Sequence, residues 1–497
     1  MKILLISPPF NRLKGIGHFH FPLGLGYLAA AVADKGVEVR IYDSELPQKG
    51  EDVKPLSNVF LLDAHRNFTQ SLKESNHPVW REVYDTLNYY QPDIVGMTVF
   101  TPLYGSARKI TSLCKDFNNK CIVIWGGPHP TLLAEEVMQK EKGVDFVVRG
   151  EGEVTFRELV RHLTRGKQAF HEIDGLSYRA KGEIKHNKTR DLIQDLDELP
   201  FPRRDLLLND ISDNRIFNNI MGSRGCPYNC AYCSSTQFWN RRVRFRSVTN
   251  IIGEMKHLKR DFHVTELEFW DDSFTLNREW TTELCNNMIS QKLNLSWWCN
   301  TRPDLIDEEK LKIMKKAGCT AINIGIETGS EKTLSYLNRN LSLEDISNSS
   351  KLLRKMHIDW YAYFMLGFPY ETVEDIEHTR GLMRSLSASH ITLSIFNPYP
   401  KTRLFEISRK LGFIPDDFNW SQFSHQSPNN HFIKNVSKDE FRKIVREAAE
   451  ECDRINKSFI KKVRRIITKR HYYYRNPLVF FKKIKKLMYC SPFHVSF

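Results

Sequence analysis

The 497-residue sequence is 41% hydrophobic and 27% charged, with ten cysteines, a length suited to roughly three domains and a composition that excludes disordered, collagenous and disulfide-dense chains. Its net charge of +14 is unevenly placed: residues 454–497 carry 13 basic side chains and no acidic one, which leaves 60 basic against 59 acidic over residues 1–453. The N-terminal MKILLISPPF lacks the long apolar stretch of a signal peptide and no run of 18 apolar residues occurs, so the expectation is a cytoplasmic protein with reduced cysteines.

Residues 1–165 alternate apolar strand candidates (2–7, 38–43, 93–100, 121–127 and 145–149) with helical patterns at PLGLGYLAAAVADKG, around 79–90, 104–117 and 131–140. Near-continuous apolar strands separated by helices predict a doubly wound, Rossmann-like parallel sheet with ligands at the carboxyl ends of its strands. Residues 166–212 read as a linker, with a small hairpin in GLSYRAKGEIKHN and a Pro-containing strap in DLDELPFPRRD. Over 213–430 a second series follows, with strands expected at 217–222, 266–271, 296–300, 321–327, 360–367 and 391–397. Six successive βα units predict a partial (β/α)6 barrel whose chemistry sits at the carboxyl-terminal rim. Residues 431–497 form a helical, strongly basic extension. It opens on Ser437-x-x-Glu440, a capping box, continues as an apolar stripe from Phe441 through Ile455 to Ile466, and resumes as a second amphipathic stretch at Asn476-Pro477.

The strongest chemical signal is Cys226-x-x-x-Cys230-x-x-Cys233, placed just after the first strand of the second series. Three thiolates so spaced can hold three irons of a cubane cluster and leave the fourth open. A zinc site needs a fourth ligand that nothing nearby supplies at usual spacing. The triplet, with Tyr232 before its last cysteine, resembles the signature of the radical S-adenosylmethionine superfamily. That resemblance implies a 4Fe–4S cluster on Cys226, Cys230 and Cys233, with S-adenosylmethionine cleaved to a 5′-deoxyadenosyl radical. Further segments are similar to the same family: Phe269-Trp-Asp271-Asp272, Asn300-Thr-Arg302-Pro, Gly325-Ile-Glu327-Thr, Phe364-Met-Leu-Gly-Phe-Pro-Tyr370-Glu371 and Asn397-Pro-Tyr399-Pro-Lys401. By resemblance Tyr232, Asp271, Arg302 and Glu327 contact S-adenosylmethionine, Glu327 through the ribose or amino group and Arg302 through the methionine carboxylate. The family usually has glycine where Tyr370 and Lys401 stand.

Ahead of such a core, residues 1–165 resemble the cobalamin-binding domain of the class B methylase subfamily, on Ile6-Ser7-Pro-Pro, Pro22-Leu-Gly24-Leu-Gly26, Trp125-Gly126-Gly127-Pro-His129 and Arg149-Gly-Glu151-Gly-Glu153. The implied cobalamin contacts are Ser7, Thr98, Gly126, Gly127 and His129. The Asp-x-His-x-x-Gly motif that supplies a cobalt-ligating histidine is absent after the first strand. Asp63-Ala-His65 has part of its spacing without the glycine, and His65 is expected at the surface.

The resemblance implies a cobalamin-dependent methyltransferase acting on an unactivated carbon of a small, lipid-like or natural-product substrate, with a flavodoxin or ferredoxin as electron donor. The alternative is a non-methylating cyclase or oxidoreductase of the same subfamily. A methylthiotransferase would carry three further clustered cysteines, and the remaining seven form no cluster in sequence. A different class of reading takes the basic tail of residues 454–497, with its aromatic and apolar face, as an anchor at the inner membrane surface, which would suit a lipid or isoprenoid substrate, and nucleic acid as a weaker partner.

Overall fold

In the computed structural model, residues 1–458 are described apart from 34, 35, 49, 52–56 and 212; the expected second stretch from Asn476 and the tail from residue 459 onward lie outside the described residues. The first sheet comprises β1 (Lys2–Ser7), β2 (Glu38–Asp43), β3 (Ile94–Thr98), β4 (Ile122–Gly126), β5 (Phe146–Val148), β6 (Leu176–Ala180) and β7 (Glu183–His186). Its order is β2-β1-β3-β4-β5-β6-β7, parallel as far as β5 and antiparallel through β6 and β7. Strand order reverses between β1 and β3, the crevice where doubly wound sheets bind ligands. The hairpin expected in the connecting segment therefore completes this sheet by pairing Tyr178 with Phe146.

The second sheet begins at β8 (Asn219–Ile220) and continues, after the two-stranded hairpin of β9 (Ser223–Arg224) and β10 (Arg244–Phe245), with β11 (Glu266–Phe269), β12 (Ser296–Thr301), β13 (Cys319–Glu327), β14 (Asp359–Leu366) and β15 (His390–Ile395). All six barrel strands are parallel, and each successive one adds on the same side. Repeated right-handed crossovers on one side curl a twisted sheet into an open barrel. Two local expectations change. The strand expected over 217–222 shortens to Asn219–Ile220, because Asn214–Asn218 is a tight 3-10 turn and Ser223–Arg224 leaves for the hairpin. The helix expected over 131–140 is two, Pro128–Leu132 and Ala134–Lys140, broken where Leu133 leaves helical geometry at φ −128°, ψ 38°.

An open barrel presents an unpaired edge at β15, and side chains from both ends of the chain cover it. The helix Lys438–Lys457 lies along that strand, and the helix Asn58–Ser71, for which the sequence had given no periodic pattern, packs on it and reaches the strand through Asn58. Asn456 accepts from Ile391 N at 2.8 Å and donates to Ile391 O at 2.8 Å, while Asn58 accepts from Leu393 N at 2.8 Å. Asp453 in turn receives Asn58 N at 2.8 Å. Primary amides here do the work of a neighbouring strand's backbone, as an exposed edge requires. Ser437 caps the C-terminal helix through Glu440 N at 3.3 Å, without the reciprocal Glu440 bond of the expected capping box, and Phe441, Val445, Ala448 and Cys452 form the helix's buried stripe.

The strap connects the two sheets by backbone and by charge. Leu208 N donates to Ile41 O at 2.8 Å and Arg203 N to Gly26 O at 3.1 Å. Arg204 then reaches Glu254 at 2.9 Å, and Arg246 meets the same carboxylate at 2.5 Å, with all three side chains buried. Burial alone would raise the Glu254 carboxyl, but Arg246 and Arg204 outweigh it and hold it below its ordinary range. Replacement of Glu254 by Ala leaves two buried guanidinium groups uncompensated, so E254A is expected to lower unfolding stability by about 3–5 kcal/mol. The contribution of Glu254 is present above the ordinary carboxylate range and is lost as pH falls through the depressed folded value. Urea titrations at neutral and acidic pH check both: an unchanged midpoint at neutral pH, or a deficit of E254A that persists undiminished in acid, refutes the assignment.

Candidate functional site

The cysteine loop leaves β9 through Gly225, which sits at φ 104°; a Cβ there would lie 1.9 Å from Arg242 O. Only glycine admits this turn. The loop is then pinned by three contacts: Ala231 N to Leu337 O at 2.8 Å, Leu404 N to Ala231 O at 3.0 Å, and the Asn338 amide to Asn229 O at 2.9 Å. Cys226, Cys230 and Cys233 face one cavity of about 180 Å3 at the carboxyl rim of the barrel. Burial pushes the Cys233 thiol up to about 12 and moves Cys226 in the same direction, so metal uptake at these positions releases protons. Among the described residues no three His, Cys, Asp or Glu side chains are arranged to hold one metal ion. The three thiols border one cavity, as a cluster held by three cysteines requires.

Strand ends furnish the rest of this cavity. Glu327, at a register shift between β13 and β14, adopts φ 72° and lies 3.7 Å from Arg339. Left-handed geometry at a non-glycine residue is strain of the sort retained at working sites. Arg302 stacks 3.7 Å over the Tyr228 ring, forks onto Asp304 at 2.9 and 3.1 Å, and leaves Nη1 buried without a partner. That free N–H group is available to a carboxylate in the cavity. Tyr232 lines the cavity beside Cys233, its phenol raised first by burial. Asp271 does not line it. Its carboxylate, pushed up to about 6 by burial, accepts Gly222 N at 2.9 Å and the Ser223 hydroxyl at 2.5 Å, and so fixes the approach to the cysteine loop. The next residue, Asp272, faces the cavity instead and accepts from Ser235 at 3.2 Å.

Two residues here escaped the sequence reading. Arg339 is buried, donates to Gly325 O and points Nη1 at Cys230 Sγ, 3.6 Å away. It follows a short helix in no recognisable motif. Asn300 was visible only as part of its strand-end segment; its amide donates towards Asp271 O at 3.3 Å. Lys401 adopts φ 64°, the left-handed conformation for which the resemblance leads one to expect glycine, whereas Tyr370 does not.

A second, larger chamber of about 600 Å3 opens at the switch point of the first sheet and shares Tyr232, Cys233, Ser235 and Asp272 with the cysteine cavity. Thr98, Gly126 and Gly127 line it as expected. Gly24 and Gly150 also line it, and a Cβ on either would meet nothing within 4 Å. Glycines facing open space, with apolar walls from Met97, Phe100, Phe238, Trp239 and Trp270, make a cradle that a flat, bulky ring system fits. Ser7 and His129 do not reach this chamber. Ser7 bonds with the buried Asp43 and accepts Ser44 through its carbonyl. His129 is packed between Tyr104 and Trp420 at ring distances of 5.0 and 5.3 Å, with Nδ1 3.3 Å from Thr101, and burial lowers it to about 3. The imidazole that lines the chamber is His425, 2.6 Å from the Tyr399 hydroxyl. His65, expected at the surface, is 5% exposed.

The two cavities are held face to face by charge. Arg224, immediately before Gly225, reaches Glu151 at 2.7 Å and Glu153 at 2.6 Å, and Arg244 reaches Glu151 at 2.6 Å. Of the seven other cysteines, which form no cluster in sequence, Cys285, Cys299 and Cys319 lie together in the barrel core. All three are buried, and burial raises the thiols of Cys285 and Cys299.

Comparison with known proteins agrees with this arrangement. The family model "Radical SAM superfamily" matches residues 220–383 and "B12 binding domain" matches residues 13–160. An uncharacterized methyltransferase of Pyrococcus horikoshii is 32% identical over 452 residues, covering 90% of this chain and 91% of the relative. The anaerobic magnesium-protoporphyrin IX monomethyl ester cyclase of Rubrivivax gelatinosus is 27% identical over 381 residues, 75% of this chain and 66% of the relative. Among solved structures, the radical S-adenosylmethionine methyltransferase TsrM of Kitasatospora setae, with tryptophan and an S-adenosylmethionine analogue bound, shares the fold with a TM-score of 0.64 at 19% identity, over 82% of this chain and 76% of that one.

The Gly225 turn sets the spacing of the three sulfurs, and the clash of a Cβ with Arg242 O is with backbone, which cannot swing aside. The G225A protein, purified anaerobically, is expected to retain less than about half the iron of the unaltered protein with an unchanged circular dichroism spectrum. Full iron content in G225A refutes the role given to this turn.

Proposed function

The chain belongs to the radical S-adenosylmethionine enzymes that carry an N-terminal B12-binding domain, and on that premise we propose that it transfers a methyl group to an unactivated carbon of a small molecule. The observation that carries this reading is the wall common to the two cavities: Tyr232, Cys233, Ser235 and Asp272 border both the cysteine cavity and the glycine-lined chamber. A reaction that needs two cofactors in turn needs their sites to adjoin.

When bound, the cluster supplies the electron that splits S-adenosylmethionine to a 5′-deoxyadenosyl radical, and cobalamin supplies the methyl group. The protein's own contribution is to bind, orient and exclude water. Cys226, Cys230 and Cys233 would hold the cluster. Asp272 and Glu327 present carboxylates to an ammonium or ribose hydroxyls, and the free Nη1 of Arg302 presents a donor to a carboxylate. Tyr228 fixes the Arg302 plane by stacking. Trp239, Trp270 and Phe100 keep the chamber apolar, which favours a substrate of mainly hydrocarbon character. A one-electron donor of flavodoxin or ferredoxin type fits the need for an external reductant. The likeness to the cyclase supports the second reading, oxidative ring closure.

Anaerobic incubation of the reconstituted enzyme with methyl-labelled S-adenosylmethionine and a cell extract as substrate pool separates the two. Methyl transfer is expected to give label in a product together with S-adenosylhomocysteine and 5′-deoxyadenosine. Formation of 5′-deoxyadenosine alone overturns it in favour of cyclisation or oxidation.

Among the described residues no helix is long and apolar enough to cross a membrane. The tail's 13 cations without a carboxylate, interleaved with apolar residues, support docking on an anionic membrane surface. The full chain is expected to float with anionic liposomes and a chain ending at residue 458 to stay behind; equal flotation of both defeats the docking role.

A further inference from the structure

A third cavity, of about 570 Å3, lies between the helices Asn58–Ser71 and Tyr104–Phe117 and the segment 419–429, and it shares no lining residue with the two cavities above. Its charge is exceptional for this molecule. Residues 1–453 are neutral to within one unit, yet four cations, Arg66, Lys73, Arg108 and Lys109, surround this one cleft. A single carboxylate lines it, Asp63, and that one is taken by Arg446 at 2.7 Å. Of the four cations, only Arg108 has a carboxylate within salt-bridge distance among the described residues, Glu141 at 3.5 Å. Like charges drawn together without counterions repel one another, and an anion between them relieves that repulsion.

A second observation points to a ligand independently. His65 lines the cleft, is 5% exposed, and its Nδ1 is buried without a hydrogen-bond partner. Burial lowers this imidazole to about 4, so at neutral pH it is an uncharged ring that can offer an N–H group. An unpartnered buried donor or acceptor is a cost that a bound polar group removes. Leu62, Leu72 and Pro428 add an apolar wall, and Ser112 and Ser421 bring hydroxyl groups.

We propose that this cleft binds a phosphorylated small molecule of nucleotide size, with its phosphates among Arg66, Lys73 and Lys109, a polar group against His65, and a ring or carbon skeleton on the Leu62–Leu72 wall. The volume lies within the range of small-molecule sites, and a cluster of guanidinium and ammonium groups is the ordinary recognition chemistry for phosphate. The site is independent of the cofactor chambers and of the methyl-transfer reading.

Isothermal titration calorimetry with adenosine 5′-triphosphate as probe tests it. The full-length holoenzyme is used with cluster, cobalamin and saturating S-adenosylmethionine in place, so that the cysteine cavity is filled. The basic tail is present in every sample, so whatever it binds is common to all. Binding is expected to weaken by at least about tenfold in R66E/K109E. K351E, a charge reversal on the exposed face of the barrel helix Leu343–Lys355, is expected to bind as the unaltered protein does. A H65F variant, which keeps the charges and removes the ring nitrogens, is expected to weaken binding by less than the double reversal. No binding, or equal loss in K351E and R66E/K109E, or equal affinity in all, overturns the proposal.

Discussion

The placement of Arg224 between Glu151 and Glu153 is the constraint on which the rest of this structure depends. All three are buried, and a guanidinium taken out of water is tolerated only where carboxylates meet it with good geometry. The carboxylates come from the N-terminus of the helix Gly152–Thr164 that follows β5 in the first domain, and the arginine from the strand that feeds the cysteine loop. Moving one domain relative to the other would strand charge in a low-dielectric interface. The register of the two domains, and with it the adjoining of the two cavities, is therefore set by an electrostatic requirement added to the apolar core that the domains share.

The same interface explains why polar and apolar functions are so sharply divided. The cysteine cavity is walled by carboxylates, amides and a guanidinium group from β11, β12 and β13, joined by Arg339, as befits a zwitterionic sulfonium compound. The chamber beside it is walled by aromatic rings and bare glycine backbone. Dividing the labour in this way lets one wall face water-soluble chemistry while the other excludes water.

Much of the fold was legible in the sequence: the first-sheet strands are largely buried on both faces and appear as near-continuous apolar runs, so β1 and β2 have the bounds expected, while the barrel strands alternate buried and half-buried residues and shift by at most a few residues. The cysteines were legible because spacing alone carries their chemistry. What stayed hidden has identifiable physical causes. Asp271 and Asp272 are adjacent and chemically identical, and only the direction of the backbone after β11 decides which enters the cavity. His129 stands in a turn rich in glycine and proline that suggested ligand contact, but Tyr104 and Trp420, the latter almost 300 residues away, enclose it. Arg339 is tied to Cys230 across a separation of 109 residues, and no local pattern announces such a pairing. The helix Asn58–Ser71 was missed because its interior face carries Asn58 and His65, polar residues that break the apolar period.

The amides that cover β15 have a consequence for how the molecule is made. Asn58 and Asn456 bracket nearly the whole described chain, and Asp453 joins them over 395 residues. During synthesis the barrel's last strand emerges well before the helix Lys438–Lys457 that covers it, so for the interval in which some sixty residues are still to be added, this strand offers bare backbone to any neighbouring chain. Completion of the barrel waits on the final helix meeting a helix from the first domain. The long-range closure that seals the edge is thus also a checkpoint, one that a nascent chain passes only after both of its domains have folded.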